Sequence, residues 1–190
     1  MHNKIDFSNS LPSKYQFANL FKVLGQISYW IHLILGIISA IILGLIVFSR
    51  RLGEPDNNTA IYISIVLSFS SLIALGFRIF WAWRYSRMAK QLQDGDPALQ
   101  PNRSQVINFL RIGLSVSLLG LILAFLASET TIITIIAEAI SQPQGERVYE
   151  ARKAIETADL FLDFVNVTIL GAHALGTVNS LGLLNWITRE

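Results

Sequence analysis

The sequence predicts an all-α, polytopic membrane protein: a bundle of four transmembrane helices with an amphipathic outer segment between the third and the fourth. Three observations predict it. Of 190 residues, 52 % are hydrophobic and only 15 % charged, and the mean hydropathy of +0.48 lies on the membrane side of the usual globular mix. Four apolar windows, roughly 27–48, 60–83, 110–127 and 160–186, are long enough to cross a hydrocarbon layer, which takes about 20 helical residues. Finally, Lys and Arg gather at the window ends on one side. Little sequence remains for a soluble domain, so the expected organisation is a tail over 1–24 and a four-span membrane domain over 25–190.

In the tail, Phe17, Leu20, Phe21 and Leu24 fall at helical spacing behind Ser13, an N-cap residue type, so a short interfacial helix is expected to lead into the first span. The first twenty residues lack an apolar h-region and an Arg-rich transit pattern, which predicts a protein made in the compartment where it inserts. The first connection, RRLGEPDNNTA, is a polar turn broken by Gly53 and Pro55. In RIFWAWRYSRMAK, closing the second span, Trp81, Trp83 and Tyr85 are expected at the headgroup level as interface anchors, with Arg84, Arg87 and Lys90 just beyond. Arg78 lies deeper and is expected to snorkel to the same interface. The third helix, if unbroken from Val106 to Ile140, would be about 52 Å long. It must therefore project from the membrane or break near Ser128 and Glu129. Beyond Pro143 and Gly145, Val148, Ala151, Ile155 and Leu162 form the amphipathic stripe of the outer segment. That segment is acidic: Glu129, Glu138, Glu146, Glu150, Glu156 and Asp159 stand against three cations, and either a cation-concentrating vestibule or a solvated face fits.

Orientation follows from the basic residues. The N-terminus, the second connection with its flanks, and the C-terminus hold ten of the Lys and Arg; the other two connections hold Arg50, Arg51, Arg147, Arg152 and Lys153. Both termini are thus expected to face the cytoplasm. The net charge of +2 reflects this asymmetry, and no basic patch interleaved with aromatics suggests nucleic acid as a partner. The absence of cysteine excludes disulfides, thiolate metal sites and iron–sulfur ligation. Soluble-enzyme signatures are absent as well, and an enzyme is not expected.

Packing is expected on ridges of small residues four apart: Gly36, Ala40 and Gly44 on the first span, Gly120, Ala124 and Ser128 on the third, Ala172, Gly176 and Ser180 on the fourth. In lipid, close backbone approach and interhelical hydrogen bonds carry helix association, and such ridges fit a tight bundle or a homo-oligomer.

The fourth span carries the polar residues. At 100° per residue, Asp159, Asp163, Asn166, Leu170, His173, Thr177 and Ser180 fall within a sector of about 100°. A lone carboxylate at the bilayer centre costs about 3 kcal/mol, so this face must look at something other than lipid. Carboxylate, amide and imidazole are ligands suited to Fe²⁺, Mn²⁺ or Zn²⁺, and could relay protons. The same stripe could equally be interior hydrogen-bonding glue. His32 is a second candidate on the first span, about 9 Å from the midplane on a 1.5 Å rise. That offset disfavours a site shared with His173. Glu129 is the other secondary candidate.

At these residues the chain resembles a known family. FKVLGQISYWIHLILG at the start, FLRIGLSVSLLG opening the third span, and D-x13-H followed by GTVNSLGLLN in the fourth are similar to the chloroplast inner-envelope "permease in chloroplasts" proteins. These are also described as a translocon subunit of the inner envelope, and they have cyanobacterial homologues. The resemblance covers most of the chain from Phe17 onward. It implies a four-span protein of the plasma or thylakoid membrane of a cyanobacterium-like cell, and either of two roles: iron uptake or participation in protein import. Asp159, Asn166 and His173 match the fourth-span pattern, followed by the small-residue stretch through Gly176 and Ser180. His32 stands where glutamine is expected and Ser117 where asparagine is, while Glu129 and Glu138 make the third-span exit more acidic. The resemblance implies no catalytic residue. The leading expectation is a permease-like protein moving Fe²⁺ or another divalent cation, with Asp159, Asp163, Asn166 and His173 lining the path. The alternative is a non-transporting scaffold or accessory subunit of a larger membrane complex, for protein translocation or photosynthetic membrane assembly.

Overall fold

The computed structural model describes residues 11–52, 58–93, 101–141 and 151–189, with side chains described over 18–51, 58–91, 101–140 and 157–188. Four helices account for nearly all of it: α1 (Leu11–Leu52), α2 (Thr59–Gln93), α3 (Arg103–Ser141) and α4 (Ala151–Arg189). Each contains a stretch long and apolar enough to cross a membrane: Ala18–Arg51, Thr59–Gln91, Arg103–Ile140 and Thr157–Thr188.

The helices are longer than the apolar windows that mark them. α1 runs without a break from Leu11, so the expected interfacial helix is the first turns of the span itself. α3 likewise continues through Ser128 and Glu129 to Ser141. Ser128 is buried there, and Thr130, Thr131 and Thr134 each return a hydroxyl hydrogen bond to the carbonyl four residues back or one turn away on their own helix. Polar side chains of this size are absorbed by a helix in lipid rather than ending it. Val148, in the expected amphipathic stripe, lies outside the described residues, as do the side chains of Ala151 and Ile155; Leu162 is buried in the core. α2 begins at a cap, with Asn58 Oδ1 accepting from the Ala60 N–H at 3.1 Å. α3 begins with Gln105 reaching back to accept the Asn102 N–H at 3.0 Å, which satisfies a donor the helix cannot.

Each helix packs on its neighbours in sequence, α1 closes the ring against α4, and α2 and α4 meet across the middle. Alternate helices run in opposite directions. The near end gathers the start of α1, the end of α2, the start of α3 and the end of α4; the far end gathers the rest. Buried positions recur at alternating steps of three and four, as in Ile61, Ser64, Ser68, Ser71, Leu75, Arg78, Ala82, Tyr85 and Ala89 of α2. That 3.5-residue repeat is the seam of a left-handed four-helix bundle. Outward positions are apolar instead: Ile34, Ile41, Leu45, Ile73, Val178 and many like them are exposed, where lipid can take them up.

Two apolar clusters bracket the interior. At the near end Phe21, Trp81, Tyr85, Phe109, Leu110 and Leu183 pack together, with Trp81 stacked on Phe109 at 4.3 Å between centroids. Towards the far end Leu43, Ile61, Leu75, Ala124, Leu162, Val165 and Ile169 form the second cluster. Trp81, expected at the headgroups, points inward and donates its indole N–H to the Phe109 carbonyl at 3.0 Å. Trp83, Arg84 and Arg87 are exposed. The Arg87 guanidinium lies 3.8 Å from the Trp83 ring centre, while that of Arg84 lies 5.0 Å from the ring centres of both Trp81 and Phe109. The small-residue ridges fare differently from one another. Gly120, Ala124, Ala172, Gly176 and Ser180 are buried, as is Gly36. Ala40 and Gly44 are exposed, and a Cβ on Gly44 would meet nothing within 4 Å. On α1 the packing line is Gly36, Ser39, Leu43 and Ile46.

Candidate functional site

The polar face of α4 looks into the bundle, and its groups meet the other three helices at successive depths. At the far end Asp159 is ion-paired with Arg50 of α1. One turn further in, Asp163 Oδ1 accepts a hydrogen bond from Ser128 of α3 at 2.5 Å. Asn166, fully buried, accepts from Ser68 of α2 at 2.5 Å, and its amide donates to Ser64 of α2 and Thr131 of α3, each at 3.4 Å. Ser64 and Thr131 are themselves 2.6 Å apart. This is a closed network across three helices, in which the side-chain amide of Asn166 is satisfied at both ends.

His173 sits deeper. Its Nε2 is 3.2 Å from the Ser71 carbonyl of α2, and its ring lies over Gly120 of α3, in the place a side chain there would occupy. Ser71 completes the contact by donating to the Gly120 carbonyl at 2.8 Å. Further towards the near end Thr177 is half-buried and Ser180 buried.

The group that sequence reading placed wrongly is Arg78. It does not snorkel. It is fully buried and donates from Nη1 to the Tyr85 hydroxyl and from Nη2 to the Gly176 carbonyl and the Ser180 hydroxyl, each at 3.0 Å. Tyr85, also expected at the headgroups, is buried with it. A signal was available: Ser64, Ser68, Ser71, Arg78 and Tyr85 lie on one heptad seam of α2. Counted from Ser64, the arginine falls on the inward face.

His32 also enters the interior, where its Nδ1 meets the carbonyl and hydroxyl of Ser28 one turn earlier. It faces Gly176, only about 4.5 Å along α4 from His173, nearer in depth than the sequence register suggests. Glu129 is exposed and does not join the column. Glu138 accepts from the Asn58 amide at 2.9 Å, tying α3 to the start of α2. Asp159, Asp163, Asn166 and His173 succeed one another over about 21 Å of helix rather than converging on one point. Among the described residues no group of three or more His, Asp or Glu is assembled to hold a metal ion.

This geometry belongs to a chain whose residues 12–188 match the family described as "protein of unknown function (DUF3611)". The chain belongs to that family. Among its relatives is "Protein TIC 21, chloroplastic" of Arabidopsis thaliana, 30 % identical over 176 residues, an alignment covering 90 % of this chain and 57 % of the relative. The chain thus spans little more than half the length of that relative. No solved structure matches it. The DUF3611 match and the chloroplast relative agree with the family resemblance carried by the first, third and fourth spans. Four apolar spans and this relationship make the DUF3611 chain an integral membrane protein.

Proposed function

We propose that this chain is a non-enzymatic membrane subunit that holds a larger transport or translocation assembly together, rather than a conduit complete in itself. The observation that carries this reading is the use made of the α4 stripe. Asp159, Asp163, Asn166 and His173 each bond to another helix, one after another, along the bundle. In lipid such bonds are what fastens helix to helix. The relative's chloroplast name, and the protein-import role that the family resemblance implies, favour a subunit of a protein-translocating complex. The lipid-exposed flanks of α1 and α2 are then the surfaces on which a partner or a second copy would pack. By the distribution of Lys and Arg, the near end and both termini face the cytoplasm, in the plasma or thylakoid membrane of a cyanobacterium-like cell.

A second reading has one observation in its favour. Carboxylates, an amide and an imidazole do line the interior in single file, the ligand types that would pass Fe²⁺, Mn²⁺ or Zn²⁺ from station to station. Against it stands the fixed positive charge of Arg78 on the same axis, which repels a divalent cation. Metal uptake into proteoliposomes separates the two readings. Folded wild-type protein that admits none of the three ions across several lipids and gradients supports the subunit. Selective uptake, lost in both Asp163→Asn and His173→Ala, overturns it in favour of an iron-type permease.

A further inference from the structure

Charge in the bundle is sorted by end. Among the described side chains the carboxylates are Glu129, Glu138, Asp159 and Asp163, and all of them lie in the far half. At the near end of α2, Arg84 and Arg87 are exposed, and among the described residues neither makes a hydrogen bond or an ion pair. Arg50, at the far end, is treated differently and has Asp159 as its partner. Aromatic rings are what hold the near-end pair. Arg84 rests against Trp81 and against Phe109 of α3, so it leans over the seam between the two helices, while Arg87 rests against Trp83. A guanidinium held by a ring face keeps its N–H donors for another partner.

The pair stands over a lipid-facing track. Three residues apart, the two arginines lie 60° from each other on one outward face, with Cβ atoms about 5–6 Å apart. Phe80 falls between them in azimuth, about one turn towards the membrane centre, and Ile73 lies in the same direction two turns further on. Both are exposed. From Arg84 to Ile73 is about 17 Å along the helix, close to half of the ~30 Å hydrocarbon layer. Two unmatched cations thus cap an apolar strip one leaflet deep.

We propose that this face of α2 seats one anionic phospholipid, with its headgroup phosphate bridged between Arg84 and Arg87 and an acyl chain laid along Phe80 and Ile73. Arginine forks suit a phosphate, which can take two N–H donors from each. Charge selects the lipid: a zwitterionic headgroup brings its own cation to the pair, whereas an anionic one brings only the charge that is missing. An acidic segment of another protein would meet the arginines but make no use of the strip beneath them. The proposal goes beyond the subunit reading and does not rest on it, since the seat is the same whether or not a partner packs beside it.

The test uses the full chain, delipidated in a neutral detergent and titrated with phosphatidylglycerol or phosphatidylcholine, with bound lipids counted by native mass spectrometry. Wild type should bind one phosphatidylglycerol saturably, at least about tenfold more tightly than phosphatidylcholine. Changing Arg84→Gln and Arg87→Gln together should remove that preference. The matched control, Lys22→Gln with Arg111→Gln, takes the same charge from the near ends of α1 and α3 and should keep it; Arg111 lies 200° around α3 from Phe109, away from the seam. If the double arginine variant does not fold, Arg87→Gln decides alone, with a loss of about fivefold expected. An equal loss in the control means diffuse surface attraction rather than a seat, and overturns the proposal. So does a wild type that binds the two lipids alike, which leaves the arginines to an acidic segment of a partner.

Discussion

Gly120 is a glycine because the His173 ring stands where its side chain would be. Replacing it with alanine should therefore destabilise the bundle by about 2 kcal/mol, as overpacking does. Detergent-unfolding curves should show that Gly120→Ala combined with His173→Ala is less damaging than the sum of the two single changes, since the smaller residue makes the room the methyl needs. Additive losses would mean the two residues are not in contact. Arg78→Lys is the complementary test. Lysine keeps the charge but has one nitrogen where Arg78 uses a fork to reach Tyr85, Gly176 and Ser180 at once. A loss of about 2 kcal/mol is expected in the same assay, and none if the charge alone matters. Neither contact could be read from sequence. His32 and Ser117, two of the positions where the chain departs from the pattern it resembles, turn out to face the same glycine. Which residues meet across four helices depends on their relative heights, and a single helical wheel does not contain that information.

At the scale of the helix, much more was legible. The angular clustering on α4 placed Asp159, Asn166 and His173 on one face because unpaired polar groups cannot be left to lipid, whatever they do inside. The α1 ridge failed for a geometric reason. Steps of four advance 400° and drift 40° per step, so Gly44 lies about 80° around from Gly36. α1 packs chiefly on α2 and α4, the latter across the slightest face of the ring, and its buried strip is too narrow to follow the drift. α4 touches all three other helices in some measure, so Ala172, Gly176 and Ser180 all stay inside. The aromatic-basic run closing α2 misled for a related reason. Trp and Arg types signalled an interface, whereas the heptad position turned Trp81, Arg78 and Tyr85 inward. The network around Asn166 also makes an element-scale prediction. Asn166→Ala leaves Ser64 and Thr131 paired with each other, so unfolding should become easier by only about 1 kcal/mol, the range of membrane hydrogen bonds. A loss several times larger would mean that this amide has a further role.

For the whole molecule, the absence of cysteine makes topology directly measurable. Single cysteines placed at Lys90 and Asn102, both exposed near-end positions, should react with an impermeant maleimide from the same side of the membrane, and one at Thr59 from the other. From the distribution of Lys and Arg, the first pair is expected to react from the cytoplasmic side. Labelling of Lys90 and Thr59 from one side would break the four-span topology itself. Hydropathy alone was enough to find the four spans, because every helix must be apolar over its lipid-facing surface.

The ring also has an order of manufacture. α1 meets α4 only after the other three helices exist, yet the carboxylate that pairs Arg50 and the carbonyl and hydroxyl that hold Arg78 all belong to α4. During synthesis two arginines therefore wait in a half-built bundle for the last segment to arrive. A chain stopped before residue 157 would hold both without those partners, and it should be retained by the insertion machinery and degraded. Supplying α4 as a separate fragment should rescue it, which pulse-chase measurements in cells would reveal. Rescue by the fragment would make α4 the helix that certifies the other three.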